Sequence, residues 1–276
     1  MTEIAAGGLR PQALLLAFFA EHVLDRRVLV ATGSLLDVLE RAGVSEHATR
    51  STLSRMARGG LLCRVRRGRQ VYLGLTRRSQ EMLSEGGRRV WHSGVVNEHW
   101  DGTWVLLGFS LPESWQRQRH ELRSQLTWAG FAPLQGGLWV APSGVDLTAV
   151  GQDLAVAPLI RVFAASALPP TDVDAMVRDA WDLAAIAGRY TGFLERWELP
   201  ERRPRLPALA QQLTLDAEWL QVIAAGPAAA ARHLPPDWPA ERAQQVFRAL
   251  HAEFEEEARS VAAAVLDTIP AEDGGS

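Results

Sequence analysis

The stretch that decides the fold is Ala42–Thr76, which reads AGVSEHATRSTLSRMARGGLLCRVRRGRQVYLGLT. Gly43 favours the end of one helix, and Ser45 suits the N-cap of a second helix that runs to Gly59-Gly60. Two alternating runs follow, and Arg67-Gly68-Arg69 between them is typical of a β-hairpin. Helix, turn, polar helix and basic hairpin in this order predict a winged helix-turn-helix, a unit that places its second helix in the major groove of DNA.

The charge of this stretch also favours a polyanion as its partner. Between His47 and Gln80 there is no Asp or Glu, and the same window contains nine arginines. A solvated surface normally mixes charges of both signs, so a window of one sign and this length suits DNA. A basic patch that binds another protein is the alternative interpretation.

Periodicity divides the second helix into two faces. Leu53 and Met56 recur at helical spacing with Thr49 and Ala57, which predicts a face toward the core. The opposite face supplies the candidates for contact with base edges: His47, Arg50, Ser51 and Ser54. For His47, an ordinary surface residue is an equally good interpretation. Arginines of the helix and hairpin are the candidates for contact with phosphates and the minor groove: Arg55, Arg58, Arg64, Arg66, Arg67 and Arg69.

Charge is distributed unevenly along the chain. The 276 residues carry a net charge of −3, but residues 1–90 hold 15 arginines and 8 acidic residues, a net charge of +7. Residues 91–276 hold 14 arginines and 24 acidic residues, a net charge of −10. This asymmetry predicts one DNA-binding domain and an acidic remainder with another role.

Composition excludes several classes of protein. A single cysteine, Cys63, excludes an internal disulfide and a metal site built from several cysteines. No apolar run reaches the length of a transmembrane helix, and we expect a soluble cytoplasmic protein without a membrane anchor. The hydrophobic fraction of 47% is enough for more than one core.

The middle of the chain predicts a ferredoxin-like sandwich from the order β-α-β-β-α-β. The predicted strands and helices are Val105–Phe109, Pro112–Gly130, Phe131–Leu134, Leu138–Ala141, Asp146–Ala155 and Leu159–Phe163.

Both flanks of this segment are predicted to be mainly helical. Before the decisive stretch, we expect a helix over Gln12–Leu24, a short strand over Val28–Val30 and a helix capped by Ser34. From Asp172 onward the pattern predicts only helices, the last from Ala240 to about Ile269, with residues 271–276 frayed. The predicted class is therefore α+β: a winged helix-turn-helix domain over 1–90, a ferredoxin-like α/β sandwich over 91–170 and a helical C-terminal domain over 171–276.

Several motifs in this order resemble the PaaX-like family of phenylacetic-acid-degradation repressors. They are Ser51-Thr52-Leu53-Ser54-Arg55-Met56 with Gly59-Gly60-Leu61-Leu62, Trp100-Asp101-Gly102-Thr103-Trp104, Trp181-Asp182-Leu183, and Leu234-Pro235-Pro236-Asp237-Trp238-Pro239 with Leu250-His251. The resemblance covers nearly the whole chain. It implies a homodimeric transcriptional repressor that binds operator DNA of an aromatic catabolic operon. It also implies a middle domain related to a small CRISPR-associated nuclease, and release from DNA by an aryl-CoA thioester such as phenylacetyl-CoA.

An acyl-CoA effector needs aromatic surfaces for its rings and cations for its phosphates. All ten tryptophans lie at or after Trp91, so this part of the chain supplies the candidates. The alternatives are core packing for the tryptophans and a solvated, ion-paired surface for the arginines. The candidates for effector binding are Trp100, Trp104, Trp139, Trp181, Trp197, Arg189 and Arg196.

Two alternatives stay open, and one of them is a repressor whose input is a partner protein or nothing instead of a thioester. A nuclease-like protein or a nucleic-acid-binding adaptor without a thioester response is the main alternative. In the related nucleases an Asp at the end of the first strand of the ferredoxin-like domain binds metal, but here that strand ends at Phe109-Ser110-Leu111. His92 and His99 are a weak candidate pair for metal binding. The sequence predicts no catalytic residues, no metal site and no cofactor.

Overall fold

The computed structural model describes residues 9–91, 96–97, 100–145, 147, 150–151, 156–224, 229–230 and 233–271. The chain forms two compact units. The first contains Met1–His92, Glu195–Leu220 and Gln245–Ser276, and the second contains Ser93–Leu194 and Gln221–Gln244. This division differs from the predicted boundaries because the part of the chain after residue 170 contributes to both units.

The elements up to the middle of the chain alternate short helices and strands. They are α1 (Pro11–His22), β1 (Val28–Ala31), α2 (Thr32–Arg41), α3 (Glu46–Arg58), β2 (Leu62–Arg67), β3 (Gln70–Leu75), α4 (Arg77–Trp91), β4 (Val96–Asn97), β5 (Trp104–Phe109), α5 (Gln116–Trp128), β6 (Ala132–Gln135), β7 (Leu138–Pro142) and β8 (Ile160–Ala165).

The remaining elements are mostly helices. They are α6 (Val173–Ala180), α7 (Leu183–Trp197), α8 (Ala208–Ile223), β9 (Ala229–Ala230), α9 (Ala240–Val265) and β10 (Thr268–Pro270). Helix α6 lies in the region that was predicted to be helical. The prediction of helices alone after Asp172 was wrong, since β9 and β10 are strands and the last helix ends at Val265 instead of continuing to Ile269.

The sheet of the first unit has four antiparallel strands in the order β10-β1-β3-β2. The strand from the chain's C-terminal part therefore completes the sheet of the N-terminal winged helix. Leu29 pairs with Ile269, and Val28 pairs with Pro270. Proline is tolerated here because β10 is an edge strand, where a missing N–H interrupts no further ladder.

The core of the first unit joins the winged helix to the C-terminal helices. Helix α1 is apolar on nearly every side, and Leu14, Phe18 and Phe19 are almost fully buried. They belong to the same hydrophobic cluster as Leu213 of α8 and Ala258 of α9. A helix that is apolar all round requires partners on all sides, and α8 and α9 contribute to that covering.

The predicted helix cap at Ser34 was wrong. Helix α2 begins at Thr32, and Ser34 lies inside it as a buried residue. Its hydroxyl donates to the carbonyl of Val265 (3.2 Å) and accepts from the amide of Asp267 (2.9 Å). Ser34 thus stabilises the turn between α9 and β10, a long-range role that local sequence patterns do not show.

The second unit contains a ferredoxin-like sheet, as predicted. Its four antiparallel strands have the order β6-β7-β5-β8, with the first strand of the motif between the third and the fourth. Helix α5 contributes Leu122 and Leu126 to a core with Leu107 and Trp139. Most of the helix predicted over Asp146–Ala155 lies outside the described residues. The α+β class is confirmed.

Candidate nucleic-acid interface

A two-helix turn fixes the orientation of α3. Gly43 follows α2 with a φ of 80°, a conformation that glycine adopts without steric cost, and the chain reverses there. The Ser45 hydroxyl then accepts a hydrogen bond from the amide of Ala48 at 3.3 Å and caps α3, as predicted. Both signals are local, which is why the sequence identified them.

Helix α3 buries one face and exposes the other. Thr49, Thr52, Leu53 and Met56 are buried against the core of the first unit. Among the predicted contact residues, all but Ser51 are exposed, and Ser51 is half-buried. The exposed contact residues of α3 are His47, Arg50, Ser54, Arg55 and Arg58.

Two arginines of α3 make hydrogen bonds along the helix. The Nε of Arg50 lies 2.7 Å from a carboxylate oxygen of Glu46, and both side chains are more than half exposed. An exposed pair one helical turn apart contributes only about 0.3–0.5 kcal/mol, so Arg50 exchanges this partner readily for a ligand. Arg55 donates to the hydroxyls of Ser51 and Thr52, each at 2.8 Å. Ser51 and Arg55 therefore act as a connected pair.

The hairpin forms the predicted wing. Strands β2 and β3 pair in register from Leu62↔Leu75 to Arg67↔Gln70, and Gly68 in the turn has a φ of 61°. Arg66 donates from Nε to the carbonyl of Gly68 at 3.2 Å and so lies over the turn. Every predicted arginine of the wing is exposed: Arg64, Arg66, Arg67 and Arg69.

The C-terminal segment supports the wing from its other side. The Tyr72 hydroxyl of β3 has acceptors in Gln70 Oε1 at 2.5 Å and in the two carboxylate oxygens of Asp267 at 3.2 and 3.3 Å. Burial, followed by the hydrogen bond to Asp267 and its charge, raises the pKa of Tyr72 above its usual value. At Gly74, a Cβ would lie 2.2 Å from the Cδ2 of Leu29, so a larger residue there would require the Leu29 side chain to move. The sequence missed this support because its parts are far apart in the chain.

The predicted effector residues lie in both units. In the second unit, Trp100, Trp104 and Trp181 share one aromatic cluster with His233. The ring centroids of Trp100 and Trp104 are 4.6 Å apart, and those of Trp104 and Trp181 are 6.4 Å apart. Trp139 belongs to the hydrophobic core of the ferredoxin-like sheet.

The other predicted aromatic and cationic residues are divided between the two units. Trp181 and Arg189 line a cavity of about 180 Å³ in the second unit, together with Ile186 and Phe131. In the first unit, the indole N–H of the fully buried Trp197 donates to Glu218 at 2.5 Å, and Arg196 pairs with the same carboxylate at 3.0 Å. Burial is the main cause that raises the pKa of Glu218, against the effects of Trp197 and Arg196. Trp197 and Arg196 thus have structural partners.

The carboxylate of Asp101 is held by hydrogen bonds from its own turn and from Ser143. One carboxylate oxygen of Asp101 accepts from the amide of Thr103 and from the hydroxyl of Ser143, both at 2.8 Å. These hydrogen bonds, led by the Thr103 amide, lower the pKa of Asp101. His92 and His99 lie outside the described residues.

Among the helices that the structure describes, each is too short or too polar to cross a bilayer.

Comparisons with known proteins cover most of the chain. Residues 10–79 match the family model of the PaaX-like protein, residues 97–177 that of the PaaX protein central Cas2-like domain, and residues 181–264 that of the PaaX-like protein C-terminal domain. Transcriptional repressor PaaX of Escherichia coli (strain K12) is 24% identical over 253 residues, which are 85% of this chain and 77% of that protein.

One solved structure shares the fold. An uncharacterized protein from Mycobacterium tuberculosis superimposes with a TM-score of 0.56, covering 91% of this chain and 96% of that chain at 20% identity. The three family domains follow one another in order along most of the sequence and confirm the resemblance noted from its motifs. The chain belongs to the PaaX-like family.

Proposed function

We propose that this protein is a cytoplasmic transcriptional repressor that binds operator DNA through α3 and the wing. The observation that carries the proposal is the exposed, cationic face of α3 beside a wing with four exposed arginines. The membership in the PaaX-like family and the name of the E. coli relative, a transcriptional repressor, agree with it. A winged helix binds DNA by inserting the second helix of its helix-turn-helix into the major groove, and α3 is that helix here.

In this proposal, different residues contact the bases and the phosphates. His47, Arg50 and Ser54 lie on the outward face of α3 and contact base edges. The hydrogen bond from Arg55 to the half-buried Ser51 assigns this pair to positioning at the phosphate backbone instead. The remaining arginines bind phosphates of the flanking backbone and the minor groove: Arg58, Arg64, Arg66, Arg67 and Arg69.

The protein acts as a homodimer on a palindromic operator, with one winged helix on each half-site. Two-fold symmetry of the protein then matches two-fold symmetry of the DNA, and the spacing of half-sites follows the spacing of the heads. The regulated genes belong to an aromatic-acid catabolic operon such as that for phenylacetate. These statements rest on the family and on the single recognition helix in each chain.

The effector is an aryl-CoA thioester such as phenylacetyl-CoA. The cavity beside Trp181 supplies an aromatic wall and one cation, Arg189, from the predicted set. Its volume of about 180 Å³ is below the roughly 300–1,000 Å³ of sites that enclose a drug-sized ligand. The aryl group therefore enters the cavity and the nucleotide part of the coenzyme remains outside. Release from DNA requires that the thioester bind one conformation of the dimer more tightly than the other.

A gel shift on the intergenic DNA upstream of the protein's own gene tests the proposal. We expect specific binding that competitor DNA of random sequence does not remove, and loss of the shifted band when phenylacetyl-CoA is added. Free coenzyme A is the matched control and should leave the band in place. Binding that ignores the thioester would reject the effector but keep the repressor, and no specific band at moderate salt would reject both.

The structure does not favour the nuclease-like alternative. Asp101 lies before the beginning of β5, the first strand of the ferredoxin-like sheet, and not at its end. One of its oxygens accepts two hydrogen bonds that fix the turn before the strand. This geometry gives Asp101 a structural role in the turn.

A further inference from the structure

Three side chains of the kind that bind metals meet in the first unit. They are Glu21 of α1, Asp216 of α8 and His251 of α9, and one donor atom of each lies within 4.8 Å of the other two. His251 Nδ1 is 2.9 Å from Asp216 Oδ1, and His251 Nε2 is 4.0 Å from Glu21 Oε2. Donor atoms from three helices therefore converge on one small region of the first unit.

Polar oxygens beside this cluster lack hydrogen-bond donors. Asp216 is 6% exposed, and its Oδ2 is buried with no hydrogen-bond partner in the part of the chain that the structure describes. Gln212, one helical turn earlier, is 1% exposed, and its side-chain oxygen is also buried with no hydrogen-bond partner among the described residues. Residues four apart lie on the same face of a helix, so this face of α8 presents two buried acceptor oxygens that a cation or a hydrogen-bond donor can contact.

Burial and neighbouring charges shift the pKa values of all three side chains. Burial, followed by the charge of Asp216, raises the pKa of Glu21 to about 7, and burial raises the pKa of Asp216. Burial by itself lowers the pKa of His251, but its hydrogen bond to Asp216 and the two carboxylate charges outweigh that effect and raise it. Glu255 adds a further negative charge and Arg26 a positive one.

We propose that Glu21, Asp216 and His251 bind one divalent transition-metal ion. One imidazole nitrogen with carboxylate oxygens suits Zn²⁺ or Mn²⁺, and water completes the coordination. The partly exposed Glu21, with 27% of its side chain accessible, provides the entry path. Binding displaces the proton of His251, because only the neutral imidazole is a ligand.

The ion would connect the DNA-binding part of the first unit to its C-terminal helices. Helix α1 packs against α3, and the cluster joins α1 to α8 and α9. Metal binding then stabilises the arrangement that supports α3, since an ion that binds only the folded state stabilises it. This inference does not depend on the proposed repressor function.

Equilibrium dialysis of the full, tag-free chain against Zn²⁺ or Mn²⁺ alone tests the proposal, with the bound metal measured by mass spectrometry. We expect one ion per chain for the unaltered protein and for His120→Gln, which removes an exposed histidine of α5 outside the cluster. Glu21→Gln and His251→Gln should weaken binding by more than about tenfold, because a lost ligand costs at least as much as a lost outer-shell partner.

A thermal scan keeps the test decisive if a buried substitution perturbs folding. Metal should raise the midpoint of unfolding of the unaltered protein and of His120→Gln, but not that of Glu21→Gln, whose side chain is partly exposed. Less than one-tenth of an ion per chain in the unaltered protein would overturn the proposal. Equal affinity in Glu21→Gln would overturn it as well, and the cluster would then be an ion-pair network alone.

Discussion

Charged side chains are held in two opposite ways within the first unit. On α3, Arg50 and Glu46 form an ion pair with both side chains in water. Between α7 and α8, Glu218 is 13% exposed and accepts from Trp197 as well as pairing with Arg196. A solvated pair has a net stability of about 0–1 kcal/mol and exchanges partners, whereas breaking a buried ion pair leaves an uncompensated charge and costs more. The exposed charges are therefore available to a ligand, and the buried ones hold helices together.

Removal of the buried acceptor should have the largest effect. Glu218→Ala leaves the indole N–H of Trp197 and the guanidinium of Arg196 without this acceptor in a mostly buried place. We expect the free energy of unfolding to fall by about 3 kcal/mol, the lower end of the cost of breaking a buried pair. Urea denaturation followed by tryptophan fluorescence measures the change.

The matched control removes the exposed carboxylate. Glu46→Ala breaks the pair with Arg50 and should lower the free energy of unfolding by no more than about 0.5 kcal/mol. If both substitutions destabilise the protein equally, the distinction between exchangeable and structural charge fails.

The wing provides the next test, on DNA affinity instead of stability. Arg67→Ala combined with Arg69→Ala removes two exposed cations, and binding to all DNA sequences should weaken. The slope of log K against log salt should become shallower by about 2, because each lost phosphate contact changes it by about 1. Fluorescence anisotropy over a salt series measures the slope.

A second double variant controls for net charge in this experiment. Arg117→Ala with Arg123→Ala removes two exposed arginines of α5, away from the wing in sequence and in the other unit. Its slope should remain that of the unaltered protein. A slope that stays unchanged in the wing variant would exclude phosphate contacts by Arg67 and Arg69.

The outward face of α3 gives the most selective effect. Arg50→Ala removes one candidate base contact and should cost about 1–3 kcal/mol on the cognate operator, with little change on random DNA. Competition binding with both DNAs in the same buffer separates the two losses. An equal loss on both would assign Arg50 to the phosphate backbone, like the wing.

Local patterns were enough to predict the candidate DNA surface. The Ser45 cap, the glycine after α2, the buried spacing of Leu53 and Met56, and the turn at Gly68 all depend on residues a few positions apart. The strand order of the ferredoxin-like sheet was also predictable, because the order of elements along the chain restricts how they pair.

The proposed effector residues could not be grouped in the same way. Trp181, just before α7, and Arg189 within α7 share a cavity, whereas Trp197 and Arg196 contact a structural carboxylate of another helix. A tryptophan in a helical pattern has the same spacing whether it contacts a core or a ligand. Only the packing of the helices separates the two roles.

The sequence by itself determined the α+β class, the winged helix, the basic charge of its surface and the family. These properties depend on composition, periodicity and short-range hydrogen bonds. The tertiary structure alone decided that β10 completes the sheet, that Ser34 binds the chain 231 residues away at Val265, and that Glu21, Asp216 and His251 meet. Such contacts join segments that no local preference brings together, and they form only when burial of a shared core in the first unit offsets the entropy of closing the long intervening chain.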